Sequence, residues 1–251
     1  MTADWDARTY DRIADPMTRW GATVLDRLPL RGDERVLDAG CGSGRVTELL
    51  LERLPRGHVV ALDGSPAMID EARRRLAPVA REHRVSFVVA DLREPIPLDP
   101  LVDAILSTAT FHWITDHDAL FRNLAAIVRP GGRLVAQCGG AGNISAVLAA
   151  AAAVDGSAPF RSPWLYATPE ETTARLLAAG FVDVETWLNP EPTPLGAGEP
   201  IETYLATVIL REHVARLPED ERRRYVHAVA ERLPRPEIDY VRLNILATRA
   251  G

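Results

Sequence analysis

"RVLDAGCGSGRVTELLLERL", residues 35–54, passes from a short apolar run into a helical one through three glycines at every second position, Gly40, Gly42 and Gly44. A short apolar run without polar alternation reads as a strand buried on both faces, and the leucine-rich half reads as the helix that follows it. The rest of the chain repeats that pattern. The runs "HVVALD", "VSFVVAD", "VDAILST" and "RLVAQCGG" read as further parallel strands. Between them, "SPAMIDEARRRL" opens a helix with Ser65 as N-cap and Pro66 in the first turn, and "DHDALFRNLAAIV" is a helix stopped by the "RPGG" of 129–132. In "TPEETTARLLAAGF", Thr168 and Glu171 form a capping box, Pro169 takes the first turn, and Gly180 suits the left-handed position after the helix. Strand "VDVETW" follows, and "IDYVRLNILATR" places Val241, Leu243, Ile245 and Ala247 on one face of a last strand. This order predicts an α/β fold with a doubly wound, mostly parallel seven-stranded sheet, in one domain over 1–251.

Three segments fall outside the repeat. Residues 1–30 read as an N-terminal helical cover. Residues 140–167 hold an alanine-rich stretch and the aromatic turn "PFRSPWLY", and 199–233 hold two helices separated by Leu217 and Pro218. Both read as helical insertions over the ligand-binding edge, forming a substrate-side lid. Within the second, Glu219 with Arg223 and Asp220 with Arg224 have the i,i+4 spacing of solvated helix pairs.

Composition narrows the chemistry. With 251 residues and 47% hydrophobic content the chain can bury a substantial core. A net charge of -6 gives no field that gathers polyanions, so nucleic acid and acidic membrane are poor partners. All 29 basic positions are arginine, which excludes a Schiff-base lysine and the lysine of a phosphate loop. Two cysteines, Cys41 and Cys138, suffice for neither a disulfide framework nor a four-cysteine zinc site. The start "MTADWDARTYDR" lacks an apolar signal region, and no apolar run approaches the ~20 residues of a membrane span, so a cytoplasmic location is expected. The sequence sets no oligomeric state.

In an open parallel sheet, ligands bind beyond the carboxyl ends of the strands, with key contacts from the turn after the first strand. There Gly40, Gly42 and Gly44 allow unusual dihedrals and close approach of a ligand to the backbone. A dinucleotide fingerprint needs its third glycine at 45, where Arg45 stands, so an oxidoreductase on the same sheet is disfavoured. Asp63 ends the second strand, where a carboxylate accepts both hydroxyls of a ribose, and Asp91 ends the third, where it meets an exocyclic amine beside the Leu92 amide. Asp38, before the glycine turn, either orients that turn or takes a ligand amine.

These residues give the chain its resemblance to a known family. "DAGCGSG", with Asp63 and Asp91 at the next two strand ends, resembles the class I S-adenosylmethionine-dependent methyltransferases and their Rossmann-like fold. More narrowly, "WDARTYDRIADPMTRW", "SPAMIDEAR", "FHWITDHDALFRNL" and "YVRLNILATR" are similar to the trans-aconitate methyltransferase group, which methylates small carboxylic acids. The stretch "CGGAGN" departs from that group's form. The resemblance implies S-adenosylmethionine as cofactor, leaving S-adenosylhomocysteine as product. It puts Gly40 and Gly42 beside the methionine part, with Cys41 and Gly44 in the same turn. Asp63 falls on the ribose, with Gly64 and Met68 next to it, Asp91 and Leu92 on adenine, and the Ser107 backbone below. It also has Tyr10 and Arg19 reach over the cofactor from the N-terminal segment.

A carboxylate acceptor, with a pKa of about 4, arrives ionised and needs anchoring arginines but no base. An oxygen, nitrogen or carbon centre of a natural product needs a base, for which His112, just after the fourth strand, is the candidate. Trp113 beside it reads as an apolar wall, and His117 as a surface residue at a helix start. Arg8, Arg12, Arg161 and Arg211 are candidate anchors for an acidic substrate, and Trp164 and Tyr166 candidate pocket walls. The expected activity is methyl transfer to a small-molecule carboxylate. The alternatives are natural-product methylation with His112 as base, or a cofactor-binding protein without methyl transfer.

Overall fold

The computed structural model describes residues 15–80, 84–154 and 160–251. Seven strands form one sheet: β1 Arg35–Ala39, β2 His58–Asp63, β3 Val85–Val89, β4 Val102–Thr108, β5 Val128–Gly139, β6 Phe181–Pro190 and β9 Val241–Arg249. Two-residue strands β7 Thr193–Pro194 and β8 Glu237–Ile238 pair separately. The sheet order is β3-β2-β1-β4-β5-β9-β6; neighbours from β3 to β5 are parallel, while β9 runs antiparallel to both β5 and β6. The doubly wound, mostly parallel sheet expected from the repeat is therefore what the chain forms.

Burial on both faces explains why the strands read as continuous apolar runs. Leu37, Val60 and Ile105 point into one core layer, while their neighbours Val36, Val59 and Leu106 point into the other. The helices lie where their caps predicted. Ser65 Oγ accepts the Met68 amide at the start of Pro66–Arg75, and Thr168 and Glu171 close a full capping box at the start of Pro169–Ala178. Gly180 follows at φ +87°.

Winding reverses between β1 and β4, adjacent strands whose chains continue in opposite directions across the sheet. A crevice opens at their carboxyl ends, the place where such sheets bind ligands. Helix Ser145–Ala152, from the 140–167 segment, packs above that edge against Tyr204, Leu205, Val226 and Val229, with Trp20 and Tyr240 at the border of the same cluster. The 140–167 and 199–233 segments therefore share one apolar core, to which Ile238 and Tyr240 also belong.

Two expectations change. The 199–233 segment forms four successive helical pieces, Glu199–Tyr204, a π-helical turn Leu205–Ile209, Arg211–Arg216 and Glu219–Ala230. Among the described residues, no ion pair joins Glu219 to Arg223 or Asp220 to Arg224. All four are exposed, where the weak attraction in water does not offset the entropy of holding two long side chains together.

Candidate active site

The glycine turn is bolted to the second strand by its own backbone. Gly40 and Cys41 amides donate to the Leu62 carbonyl at 2.8 and 2.9 Å, and the Gly42 amide donates to Asp63 Oδ2 at 2.9 Å. All three turn glycines have positive φ, but their surroundings differ. A Cβ on Gly42, at φ +53°, would meet no atom of the described residues within 4 Å, so among them its face is open. On Gly40 a Cβ would strike the Thr110 side chain at 2.2 Å, and on Gly44 it would crowd Ala72 and Leu76 at 3.2 Å. Packing against Thr110 and against Ala72 and Leu76 thus explains Gly40 and Gly44, whereas Gly42 leaves room for a group to approach its backbone.

Asp38 is fully buried at the end of β1. Thr47 Oγ1 donates to its Oδ2 at 2.6 Å, while Oδ1 has no hydrogen-bond partner among the described residues. Burial raises its pKa from 3.8 to about 7, against the Thr47 hydrogen bond and with help from the Asp63 charge. An orphaned carboxylate oxygen in this position suits a cationic group such as the amine of S-adenosylmethionine. Asp63 is half-buried, and besides Gly42 it accepts the Ser65 amide on Oδ1 at 2.8 Å. The Gly64 amide also acts on this carboxylate, which keeps part of its acceptor capacity for a ribose hydroxyl. Gly64 is exposed next to it, and Met68 is buried in the first turn of the following helix.

Asp91 is differently placed. Arg93 clasps it through Nε and Nη2, the closest contact being 2.6 Å, and these hydrogen bonds lower its pKa. An adenine amine at Asp91 therefore shares the carboxylate with Arg93. Leu92 beside it is buried, and its carbonyl is fixed by Asn123 at 3.0 Å. Ser107 Oγ donates to the Ala39 carbonyl at 2.7 Å and ties β4 to β1 beneath the turn. Cys41 and Cys138 are buried thiols, and burial pushes the pKa of Cys138 up to about 12. Arg19 is exposed on helix Asp15–Leu25, while Tyr10, Arg8 and Arg12 lie outside the described residues.

From the turn, Thr110 leads to a second feature. Its hydroxyl reaches the Gly40 carbonyl at 3.2 Å, and the chain then makes a 3-10 turn, Phe111–Trp113, whose His112 and Trp113 line a partly open chamber. His112, Tyr166, Asn143, Tyr240 and Arg242 supply its polar lining, and Trp113 and Trp164 much of the rest. Two non-glycine residues on that wall, Ala109 and Ile144, hold left-handed backbone at φ 54° and 50°. Such strain costs about 1–3 kcal/mol per residue and persists only where the surroundings enforce it, commonly at functional sites.

His112 is buried, with its ring stacked near Tyr166. Burial drives its pKa well below the usual histidine value, and the nearby charges of Arg242 and His117 push the same way. The Gly139 amide donates to Nδ1 at 3.3 Å. A neutral imidazole that accepts at Nδ1 carries its proton on Nε2, so toward a ligand it is a donor. To act as a base at Nε2 it has to give up the Gly139 hydrogen bond.

Arg242 went unrecognised in the sequence. It is buried on β9 opposite Gly139, with its guanidinium 4.7 Å from the Trp20 ring centre. The available signal was alternation: in "YVRLNIL" Arg242 and Asn244 fall between apolar neighbours in a strand too central to leave a charge in solvent. Asn143 and Tyr240 carried no such pattern. His117, expected at the surface, is buried. Its Nε2 meets the Phe111 carbonyl at 3.0 Å and its ring packs on Phe121, because the 3-10 turn covers the start of its helix. Arg161 is exposed, and Trp164 lies between Trp113 and Tyr166 with ring centres 5.4 and 5.9 Å away.

Removing the Asp63 carboxylate deletes a hydrogen bond of ~1.5–3 kcal/mol to a ribose hydroxyl. Asp63→Ala is thus expected to weaken S-adenosylhomocysteine binding at least tenfold by calorimetry, with the fold retained in circular dichroism. Unchanged affinity contradicts the ribose position. Asp38 gives a coupled prediction. Its pKa is higher in the folded than in the unfolded chain, so the stability it contributes is complete below about pH 4 and lost as pH rises through about 7. Asp38→Asn stays neutral. Its cofactor-free melting temperature is expected to exceed the parent's by a margin that grows from about pH 4 and levels off above pH 7, while S-adenosylhomocysteine binds more weakly. A margin independent of pH sinks the assignment.

Comparison with known proteins agrees with this geometry. A methyltransferase-domain family matches residues 36–132, the strands and helices around the glycine turn. A trans-aconitate 2-methyltransferase from Variovorax paradoxus is 33% identical over 230 residues, covering 89% of this chain and 86% of that protein. One from Methylobacterium nodulans is 43% identical over 135 residues, covering 54% of this chain and 50% of that protein. Several other curated relatives likewise match over only about half their length. Among solved structures, a phosphoethanolamine N-methyltransferase of Haemonchus contortus, in complex with S-adenosylhomocysteine, superposes with a TM-score of 0.60. It is 18% identical, and the match covers 93% of this chain and 53% of that one, which is a likeness of fold. The cradle at Gly42, the buried Asp38 and these matches together place the chain in the class I S-adenosylmethionine-dependent methyltransferase family, on the trans-aconitate methyltransferase side, with S-adenosylmethionine as its cofactor.

Proposed function

We propose that this protein methylates a carboxylate oxygen of a small organic acid. The observation that carries the reading is the buried Arg242 guanidinium on the wall of the same chamber as an imidazole held neutral and presenting N–H. A cation and a neutral donor suit an anionic acceptor. The names of the trans-aconitate 2-methyltransferase relatives point the same way.

S-adenosylmethionine, when bound, offers a methyl on a sulfonium, and its displacement by a carboxylate oxygen leaves a neutral thioether with no proton to move. What remains for the chain is to bind, align and exclude water. Asp38, Gly42 and Asp63 hold the cofactor, with Asp91 and Leu92 at its adenine. Arg242 neutralises the carboxylate, and His112 Nε2–H donates to one of its oxygens, which holds the acceptor in the chamber. Thr110 joins the two halves, since its hydroxyl contacts the Gly40 carbonyl two residues before His112. Segments 140–167 and 199–233 act as the lid. An acidic chain with net charge -6 fits work on small molecules in the cytoplasm better than work on nucleic acid.

A donor role and a base role differ in kinetics. His112→Ala is expected to raise the Michaelis constant for the acceptor about tenfold or more with kcat changed little, and His112→Gln, which keeps an N–H donor, to recover part of the loss. At saturating S-adenosylmethionine, kcat is expected to be flat from about pH 6 upward, because the acceptor is ionised throughout. A fall of roughly 10²–10⁴ in kcat for His112→Ala, with an acidic limb near the histidine pKa, contradicts the carboxylate reading and assigns His112 as a base.

A further inference from the structure

Tyr166 is fastened beside His112 by the backbone before and after it. The Leu165 amide donates to the His112 carbonyl at 3.0 Å, and the Ala141 amide donates to the Ala167 carbonyl at 3.0 Å. Between these tethers the phenol ring lies near-parallel to the His112 and Trp164 rings, with ring centres 6.0 and 5.9 Å away. It crosses Gly139 so closely that a Cβ there would come within 2.7 Å of Tyr166 Cε1 and 2.9 Å of Asn143 Nδ2. The glycine whose amide holds His112 Nδ1 therefore also makes room for Tyr166 and Asn143, and all three side chains line the acceptor chamber. The Val241 amide donates to Asn143 Oδ1 at 2.9 Å, which leaves Nδ2 as the donor end of that side chain. Asn143 acts as a hydrogen-bond donor on the Tyr166 hydroxyl, an effect that by itself lowers the phenol pKa. Burial outweighs it and holds the pKa above the usual tyrosine value, so the phenol keeps its proton. With the oxygen accepting from Asn143, the O–H is left to donate, and no acceptor for it occurs among the described residues.

We propose that Tyr166 binds the acceptor: its phenol O–H donates to the carboxylate, on the oxygen that is not methylated. This rests on the carboxylate reading above and adds a donor to it. A carboxylate presents about four lone-pair sites over its two oxygens, and attack on the methyl needs one of them unencumbered. A donor on the attacking oxygen holds back the electron pair that forms the new O–C bond, whereas on the other oxygen it anchors the group without that cost. In the transfer the C–S bond breaks with its electron pair staying on sulfur, the O–CH3 bond forms from a carboxylate pair, and Tyr166 keeps its proton throughout. Negative charge drains from the carboxylate as the ester forms, so the Tyr166 hydrogen bond is stronger to the bound acid than to the transition state. Tyr166 is then a determinant of acceptor affinity and not of the chemical step. Asn143 is a positioning residue that acts through the Tyr166 hydroxyl.

Tyr166→Phe keeps the ring and removes only the O–H. Parent and variant are compared with benzoate, succinate and aconitate as acceptors and methyl-labelled S-adenosylmethionine as donor, with alkali-labile label as the product signal. For the acid that the parent turns over fastest, Tyr166→Phe is expected to raise the Michaelis constant about tenfold with kcat unchanged or slightly higher. The affinity of that acid for the enzyme saturated with S-adenosylhomocysteine, measured by calorimetry, is expected to fall by the same factor. S-adenosylhomocysteine affinity itself is retained, which is the check on folding. Asn143→Ala is expected to raise the Michaelis constant a few-fold in the parent and to leave it unmoved in the Tyr166→Phe background. An unchanged Michaelis constant in Tyr166→Phe, or a kcat that falls while the Michaelis constant holds, reduces Tyr166 to a wall and overturns the proposal while an ester product keeps the carboxylate reading. Equal effects of Asn143→Ala in both backgrounds overturn its action through Tyr166. Failure of all three acids to give alkali-labile label overturns the proposal and the carboxylate reading together.

Discussion

The Asp63 carboxylate accepting the Gly42 amide, beside a Leu62 carbonyl that takes the amides of Gly40 and Cys41, holds the first two strand ends in one piece. Everything in the site is referred to that clamp. It sets the left-handed turn after β1 and leaves a bare Cα at Gly42 facing open space among the described residues. It also fixes a carboxylate with spare acceptor capacity one strand away. Because β4 pairs with β1 on the other side, its continuation through Thr110 comes back over the same turn, and the acceptor chamber grows from that contact. Sheet order thus places cofactor cradle and acceptor chamber side by side.

Charge burial gives the site its chemistry. Asp38 and Arg242 sit in positions where an ionised group is costly. Asp38 shows that cost directly in a pKa raised to about 7. The two charges sit on different strands, β1 and β9. His112 stays neutral because it is buried, with the Arg242 charge acting the same way, and Gly139 decides which of its nitrogens carries the proton. A site so arranged favours an acceptor that arrives already ionised.

The sequence carries the sheet plainly, because parallel strands buried on both faces become unbroken apolar runs and helix starts are written in local capping chemistry, as at Ser65 and Thr168. The places of Asp38, Gly42 and Asp63 at the strand ends were legible for the same reason. What could not be read is contact made across the fold. Gly40 is a glycine because of Thr110, seventy positions away, and His117 is buried by a turn that local reading treats as its solvent side. Arg242 left only a faint alternation in "VRLNIL", and its meaning depends on β9 running antiparallel beside β5, which brings it next to Gly139. Asp91 looked free at a strand end, but Arg93, two residues on, folds back onto it.

The central claim is that a carboxylate receives the methyl, and the bond formed reports on it directly. Incubating the protein with a panel of small organic acids and phenols and methyl-labelled S-adenosylmethionine, then treating the products with mild alkali, distinguishes the acceptors. A carboxylate acceptor gives an ester, from which alkali releases the label as volatile methanol. Label that survives alkali, as in an ether, a methylated amine or a new carbon–carbon bond, contradicts the account and makes His112 the residue to re-examine as a base.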